Sequence, residues 1–220
     1  FQHQSVSMFV WSAGLDRSHH AREVALEFVP RVIEQAGDMN PQMLSNCAWG
    51  FARLLLTASE SPELYDHLAV SATKLLASLS DQNVSNLLWA LAKVDARSGA
   101  VHDHFLAVCR SRSELMVRGQ SHHVACVAWA IAKLCFPDVF WTTPETARQA
   151  APEISSAVVQ AATTAAQNTS SWKTRELAMV VWSVAKSLQD CPKLLPAAVT
   201  RLAEVNAPAH DVAMILAAFS

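Results

Sequence analysis

PQMLSNCAWGFARL at residues 41–54 returns as DQNVSNLLWALAKV at 81–94, and the agreement between the two decides the fold. SHHVACVAWAIAKL (121–134) and TRELAMVVWSVAKS (174–187) keep the Trp and the basic residue four places after it. HQSVSMFVWSAGLD (3–16) is a weaker first copy, and AHDVAMILAAFS (209–220) a truncated last one with Ala217 in the Trp place. The motif residues Trp11, Trp49, Trp89, Trp129 and Trp182 are separated by 38, 40, 40 and 53 residues. Self-similarity at such a period marks a supersecondary unit that stacks on its neighbours.

Each copy has a helical pattern, with Ser80, Ser121 or Ser171 near the start as a candidate N-cap and Lys or Arg in the last turn. Between the copies lie segments with helical periodicity at 20–36, 62–79, 99–117, 152–167 and 192–205. Two of them open on Pro62 and Pro152, where the missing N–H is harmless. The unit is therefore a helical hairpin of 38–40 residues, and the longer fourth interval places an insertion at 135–151, an extra turn or short helix on the edge of the stack. The repeats run at about 1–38, 39–78, 79–118, 119–170, 171–206 and, in part, 207–220, forming one helical-repeat domain over 1–220.

Composition agrees with an all-α class. Only five glycines and one tyrosine leave little turn chemistry for hairpin-rich β folds. With 51% hydrophobic residues and a net charge of -2, the chain is not intrinsically disordered. The longest apolar run, Val124 to Ala132, falls far short of the roughly 20 residues a bilayer requires. Cys47, Cys109, Cys126, Cys135 and Cys191 show no CxxC spacing and sit mostly in apolar segments, which predicts buried, reduced thiols. The chain opens on Phe1 with no initiator Met or targeting peptide, as expected of a processed protein or an excerpt of a longer one.

The segment PQ-x-L-S-N-x-x-W-[AG]-x-A-[KR]-[LV] resembles the octotricopeptide repeat of organellar RNA-binding proteins. It is also similar to the helical region that precedes the RAP domain in FAST-kinase-like mitochondrial proteins. The likeness spans nearly the whole chain and is closest at 41–54 and 81–94, while Cys126 and Met179 replace the Asn in the next two copies. No RAP-like domain is visible. The resemblance implies an α-solenoid, a right-handed superhelix of stacked helical hairpins, that binds organellar RNA and acts in its stability, processing or translation. It also implies an organellar location, a mitochondrion in preference to a plastid.

Within the motif helices one line stays polar or small: Gln42, Asn46, Gly50, Arg53, then Gln82, Asn86, Ala90, Lys93, then His122, Cys126, Ala130, Lys133, then Arg175, Met179, Ser183, Lys186. Steps of four, four and three put each set on one helix face. The cations Arg53, Lys93, Lys133 and Lys186 form a ladder suited to phosphates, although a cation in the last turn is also favoured by the helix dipole. Asn46 and Asn86 either read a base edge or hold a neighbouring backbone group. Gln42, Gln82, His122 and Arg175 vary in type at a fixed place, as specificity positions do in one-base-per-repeat readers.

The motif tryptophans are expected in the core between hairpins, which leaves the out-of-register Trp141 and Trp172 as candidates for partner contact. His19-His20, His102-Asp103-His104 and His122-His123 lack the companion ligands of a zinc site, and the first two groups are expected on the surface. No phosphate loop, nucleophile elbow or paired carboxylate appears, so neither enzyme chemistry nor a cofactor is expected.

The net charge conceals a segregation. Windows around the motif helices hold Arg53, Lys93, Lys133, Lys173, Arg175 and Lys186 against Asp81, Glu176 and Asp211, a balance of +3 that leaves −5 elsewhere. This segregation removes the objection that a near-zero net charge raises against RNA, the partner that the resemblance implies. An architectural subunit of a large organellar assembly such as a ribosome is the alternative, favoured by the low charged fraction of 16%, and a HEAT- or armadillo-like protein scaffold fits the Trp motif poorly.

Overall fold

The computed structural model describes residues 2–136 and 151–217, and among them the chain is all-α, with thirteen α-helices and no strand. They are α1 (His3–Asp16), α2 (His19–Leu26), α3 (Val29–Gln35), α4 (Pro41–Arg53), α5 (Pro62–Lys74), α6 (Asp81–Lys93), α7 (Gly99–Ser111), α8 (Ser113–Arg118), α9 (Ser121–Cys135), α10 (Pro152–Gln167), α11 (Thr174–Lys186), α12 (Leu194–Glu204) and α13 (Ala209–Ala217). Every copy of the Trp motif is one helix: α1, α4, α6, α9, α11 and α13. Packing groups the chain into two compact units, residues 1–108 and 109–220.

In the first unit α1 packs on α4 and α4 on α6, while α3 packs on α5 and α5 on α4. Its core is built from Val10, Leu44, Phe51, Tyr65, Leu68, Leu87 and Leu91, all fully buried. The Tyr65 hydroxyl donates to the Leu56 carbonyl, so the one phenol in this core is satisfied. In the second unit α9 packs on α11 and α11 on α13, with α10 against α8, α9, α11 and α12. Val124, Val127, Ile131, Ile154, Val158, Leu177 and Val180 fill its interior.

Local chemistry sets the helix ends. Asn40 caps α4 by accepting from the Met43 N–H, and Pro41 stands at the first helical position. Ser80 caps α6 in a capping box: its hydroxyl accepts from the Asn83 N–H at 3.1 Å, and the Asn83 amide oxygen accepts from the Ser80 N–H at 3.2 Å. Ser121 and Ser171 do not cap: Ser121 is already inside α9, and Ser171 ends a 3-10 turn before α11.

At the other end Leu55, Asp95, Leu188 and Asn206 adopt left-handed backbone, and the N–H after each donates back to Phe51, Leu91, Val184 and Leu202 at 3.0–3.1 Å. This is a Schellman closure made without glycine.

Two of the intervening segments differ from expectation in being divided. Segment 20–36 is two helices, with Pro30 in the first turn of α3, and segment 99–117 divides at Arg112. Segment 152–167 forms one helix with those bounds. The insertion expected at 135–151 begins inside α9, and residues 137–150, with Trp141, lie outside the described residues.

Candidate nucleic-acid interface

Accessibility within the motif helices follows one pattern. In α4 every residue is buried except Pro41, Gln42, Met43, Asn46, Trp49 and Arg53; in α6 the exceptions are Asp81, Gln82, Asn86, Trp89 and Lys93. Gln42, Asn46, Trp49 and Arg53 are spaced by four, three and four residues, which makes a single stripe along the helix. The same places hold Gln82, Asn86, Trp89 and Lys93 in α6, and Gln4, Met8, Trp11 and Leu15 in α1.

The stripe differs in membership from the sequence expectation. Gly50, Ala90, Ala130 and Ser183 are buried, and the tryptophan one place earlier occupies the accessible position. The motif tryptophans are therefore not core residues: Trp49, Trp89, Trp129 and Trp182 are half-buried and Trp11 is exposed. Conversely, Trp172 is only 5% exposed, which removes it as a surface contact. Sequence spacing holds the signal for this stripe, because the tryptophan lies seven residues after the Gln and four before the cation.

The cations of the ladder sit differently from one copy to the next. Arg53 lies over the Trp49 ring, 5.2 Å from its centroid, and Lys133 lies over Trp129 at 5.4 Å. Both are cation–π distances. Lys93 is exposed, whereas Lys186 is 7% exposed and stands off the accessible edge. At the head of the stripe Gln42, Gln82, His122 and Arg175 are all exposed; Asn46 and Asn86 are half-buried, and Cys126 and Met179 in their place are buried.

In the first unit α1, α4 and α6 enclose an open groove of about 420 Å³, walled by Met8, Trp11 and Met43 and lined by the amides of Gln4, Asn40, Gln42, Asn46, Gln82 and Asn86. An amide relay orders one side of it. Asn83 Nδ2 donates to Ser45 Oγ at 3.0 Å and to Gln42 Oε1 at 3.3 Å, and Gln42 Nε2 donates to Asn46 Oδ1 at 2.8 Å.

Asn83 exemplifies a recurring clasp. The third residue of α6, α11 and α13, namely Asn83, Glu176 and Asp211, is buried and reaches the start of the preceding motif helix. Glu176 Oε1 stands 3.9 Å from His122 Nδ1, while its other oxygen accepts from the Lys173 N–H at 3.0 Å. The Thr174 hydroxyl donates to Asp211. Each buried carboxylate or amide thereby keeps a partner, as burial demands.

Beside His122, burial pushes the Cys126 thiol up to about 12, helped by the negative Glu176 and opposed by Arg175. The thiol is thereby held away from its reactive thiolate form. Among the described residues no three His, Cys, Asp or Glu side chains gather as a metal site. The histidine groups are placed separately. His19 pairs with Glu23 on the surface, and His102 stands beside Asp103 there. His104, expected on the surface, is fully buried in α7. No helix among the described residues is long and apolar enough to cross a membrane.

Comparison with protein-family models and with curated proteins finds no match to this chain.

Proposed function

We propose that this chain is a helical-repeat protein that binds single-stranded RNA along its motif helices. The observation that carries the reading is the accessible stripe: α4 and α6 each present a Gln, an Asn, a Trp and a cation in one line, and bury nearly everything else. Single-strand binders combine these three elements, with amides for base edges, aromatic faces for stacking and cations for phosphates. Resemblance to the octotricopeptide repeat supports the same partner and an α-solenoid arrangement. It is also the sole basis for an organellar setting, in a mitochondrion before a plastid, and for a role in RNA stability, processing or translation.

The test is fluorescence anisotropy with short single-stranded RNAs across a salt series. If Arg53, Lys93 and Lys133 each meet a phosphate, the log–log salt slope is about −2, from roughly −0.7 per contact. The triple change of Arg53, Lys93 and Lys133 to Gln then flattens the slope and weakens binding to all sequences alike. Unchanged binding by that variant overturns the cation ladder, and no RNA affinity in the parent chain overturns the function.

A second reading, a subunit of a large ribonucleoprotein assembly such as an organellar ribosome, is favoured by α1. Its stripe carries Met8, Trp11 and Leu15 exposed where α4 carries Asn46, Trp49 and Arg53. Exposed apolar stripes of this kind are ordinarily covered by partners. Size-exclusion chromatography separates the readings: a monomer that binds RNA supports the first, and self-association relieved by Met8→Gln and Leu15→Gln supports the second.

A further inference from the structure

The groove in residues 1–108 and the tryptophans in residues 109–220 are built from different chemistry. We infer that the groove amides of the first unit read base edges, whereas the Trp129–Trp182 pair of the second holds bases by stacking without regard to their identity. The inference rests on the RNA-binding reading above and assigns its two parts to separate residues.

Four of the stripe places in α4 and α6 are amides: Gln42, Asn46, Gln82 and Asn86. A carboxamide offers one donor edge and one acceptor, the pattern that pairs with base edges. The relay fixes two of them in advance. Ser80 donates through both N–H and Oγ–H to Asn83 Oδ1, which turns Asn83 Nδ2 toward Ser45 and Gln42. Gln42 Nε2 is thereby aimed at Asn46 Oδ1, which occupies one of that oxygen's two acceptor sites and orients the Asn46 amide. Gln82 and Asn86 of α6 line the same groove, the first exposed and the second half-buried. Amides held in a groove discriminate among bases, because the wrong edge leaves a polar group unpaired.

The second unit has no amide in these places. Cys126 and Met179 are buried where the Asn stands in α4 and α6, and His122 and Arg175 replace the Gln. Its tryptophans, as accessible as Trp49 and Trp89 of the first unit, form an aromatic pair: Trp129 of α9 and Trp182 of α11 have ring centroids 6.4 Å apart and planes inclined at 38°. Lys133 lies over the first ring. Stacking on such rings tolerates any base, since every base has a π-face.

The experiment uses the full chain and fluorescently labelled twelve-residue oligomers of A, C, G and U, with dissociation constants taken at one salt concentration. The variant Asn46→Ala, Gln82→Ala, Asn86→Ala is expected to bring the four constants within about twofold of one another while the weakest of them hardly changes. The variant Trp129→Leu, Trp182→Leu is expected to weaken all four by a similar factor, about tenfold or more, and to leave their ranking intact. The pair Trp129→Phe, Trp182→Phe keeps aromatic faces and recovers most of that loss, which separates stacking from a folding defect. The inference is overturned if the parent chain binds the four oligomers equally, if the alanine variant weakens all four alike, or if the leucine variant reorders them. A parent chain that binds none of the four instead overturns the RNA-binding reading itself.

Discussion

Gly14 and Gly50 meet where α1 packs on α4: a Cβ built on Gly14 would stand 2.7 Å from the Gly50 Cα, and one built on Gly50 only 2.4 Å from the Val10 carbonyl oxygen. Both obstacles are backbone, so neither can swing aside. Ala90, Ala130 and Ser183 occupy the equivalent place in α6, α9 and α11, which shows that the motif itself accepts a side chain there. The constraint therefore comes from the approach of α1 and not from the repeat. Gly50→Ala is expected to destabilise the protein by about 1–3 kcal/mol, the usual cost of overpacking, despite its better helix propensity. A urea midpoint equal to that of the parent chain would mean that α1 reseats freely.

His104 is fully buried in α7, with Nδ1 2.8 Å from Thr73 Oγ1 and Nε2 without a partner. The Thr73 hydroxyl donates its proton to the Ala69 carbonyl, so it accepts from His104, whose proton therefore sits on Nδ1. Burial pushes this imidazole down from 6.5 to about 4. Between those values the unfolded chain binds a proton that the folded chain refuses, and stability rises with pH through that window. The contribution is complete above pH 6.5 and is lost as the pH falls toward 4, in total about 3 kcal/mol. His104→Leu leaves Thr73 satisfied and is expected to flatten the stability profile between pH 4 and 6.5 relative to the parent, as read from urea unfolding at a series of pH values. Parallel profiles would remove His104 as the cause.

The burial of His104 was available in the sequence. Val101, His104, Phe105 and Val108 are spaced as one helical face, and all four are buried, yet the run His102-Asp103-His104 reads as polar when taken by itself. The existence and bounds of the motif helices were legible for the same reason of periodicity, and α10 spans the residues that its pattern marks.

Exposure was the harder matter. On a helix of 3.6 residues per turn, Trp89 and Ala90 flank the line through Gln82 and Lys93 on opposite sides, and only the packing of α4 against α6 decides which of them is covered. Trp172 illustrates the converse, since nothing in its out-of-register position signals that it is covered. Pro30 does carry a readable signal for the break between α2 and α3, whereas Arg112 carries none for the break between α7 and α8.

Leu55 and Leu188 adopt left-handed backbone, at φ of 59° and 53°, while exposing 62% and 47% of their surface. A non-glycine residue in that region carries strain on the order of 1 kcal/mol, and these exposed side chains return little burial in exchange. Leu55→Gly and Leu188→Gly are therefore each expected to raise stability by up to about 1 kcal/mol, reduced by the greater freedom that glycine gives the unfolded chain. The shift in chemical-denaturation midpoint checks this. A loss of stability would show that the leucines hold contacts beyond their own turns.

Thiol chemistry separates the five cysteines by depth. Cys47, Cys109 and Cys126 are buried, and burial pushes each thiol up to about 12, with Glu153 adding to the effect at Cys109 and Glu176 at Cys126. Cys135 and Cys191 are partly exposed, and burial beside Asp190 raises Cys191 less completely. Since the thiolate is the reactive species, alkylation of the native protein at pH 8 is expected to label Cys191 and Cys135 in the fast phase. The other three wait for unfolding, and urea converts them to the fast class together with the loss of helical signal. Peptide mapping by mass spectrometry assigns the sites. Early labelling of Cys126 would be the informative failure, because its thiol is covered where α9 meets α11, and its exposure would mean that the packing holding Trp129 against Trp182 opens in the native state.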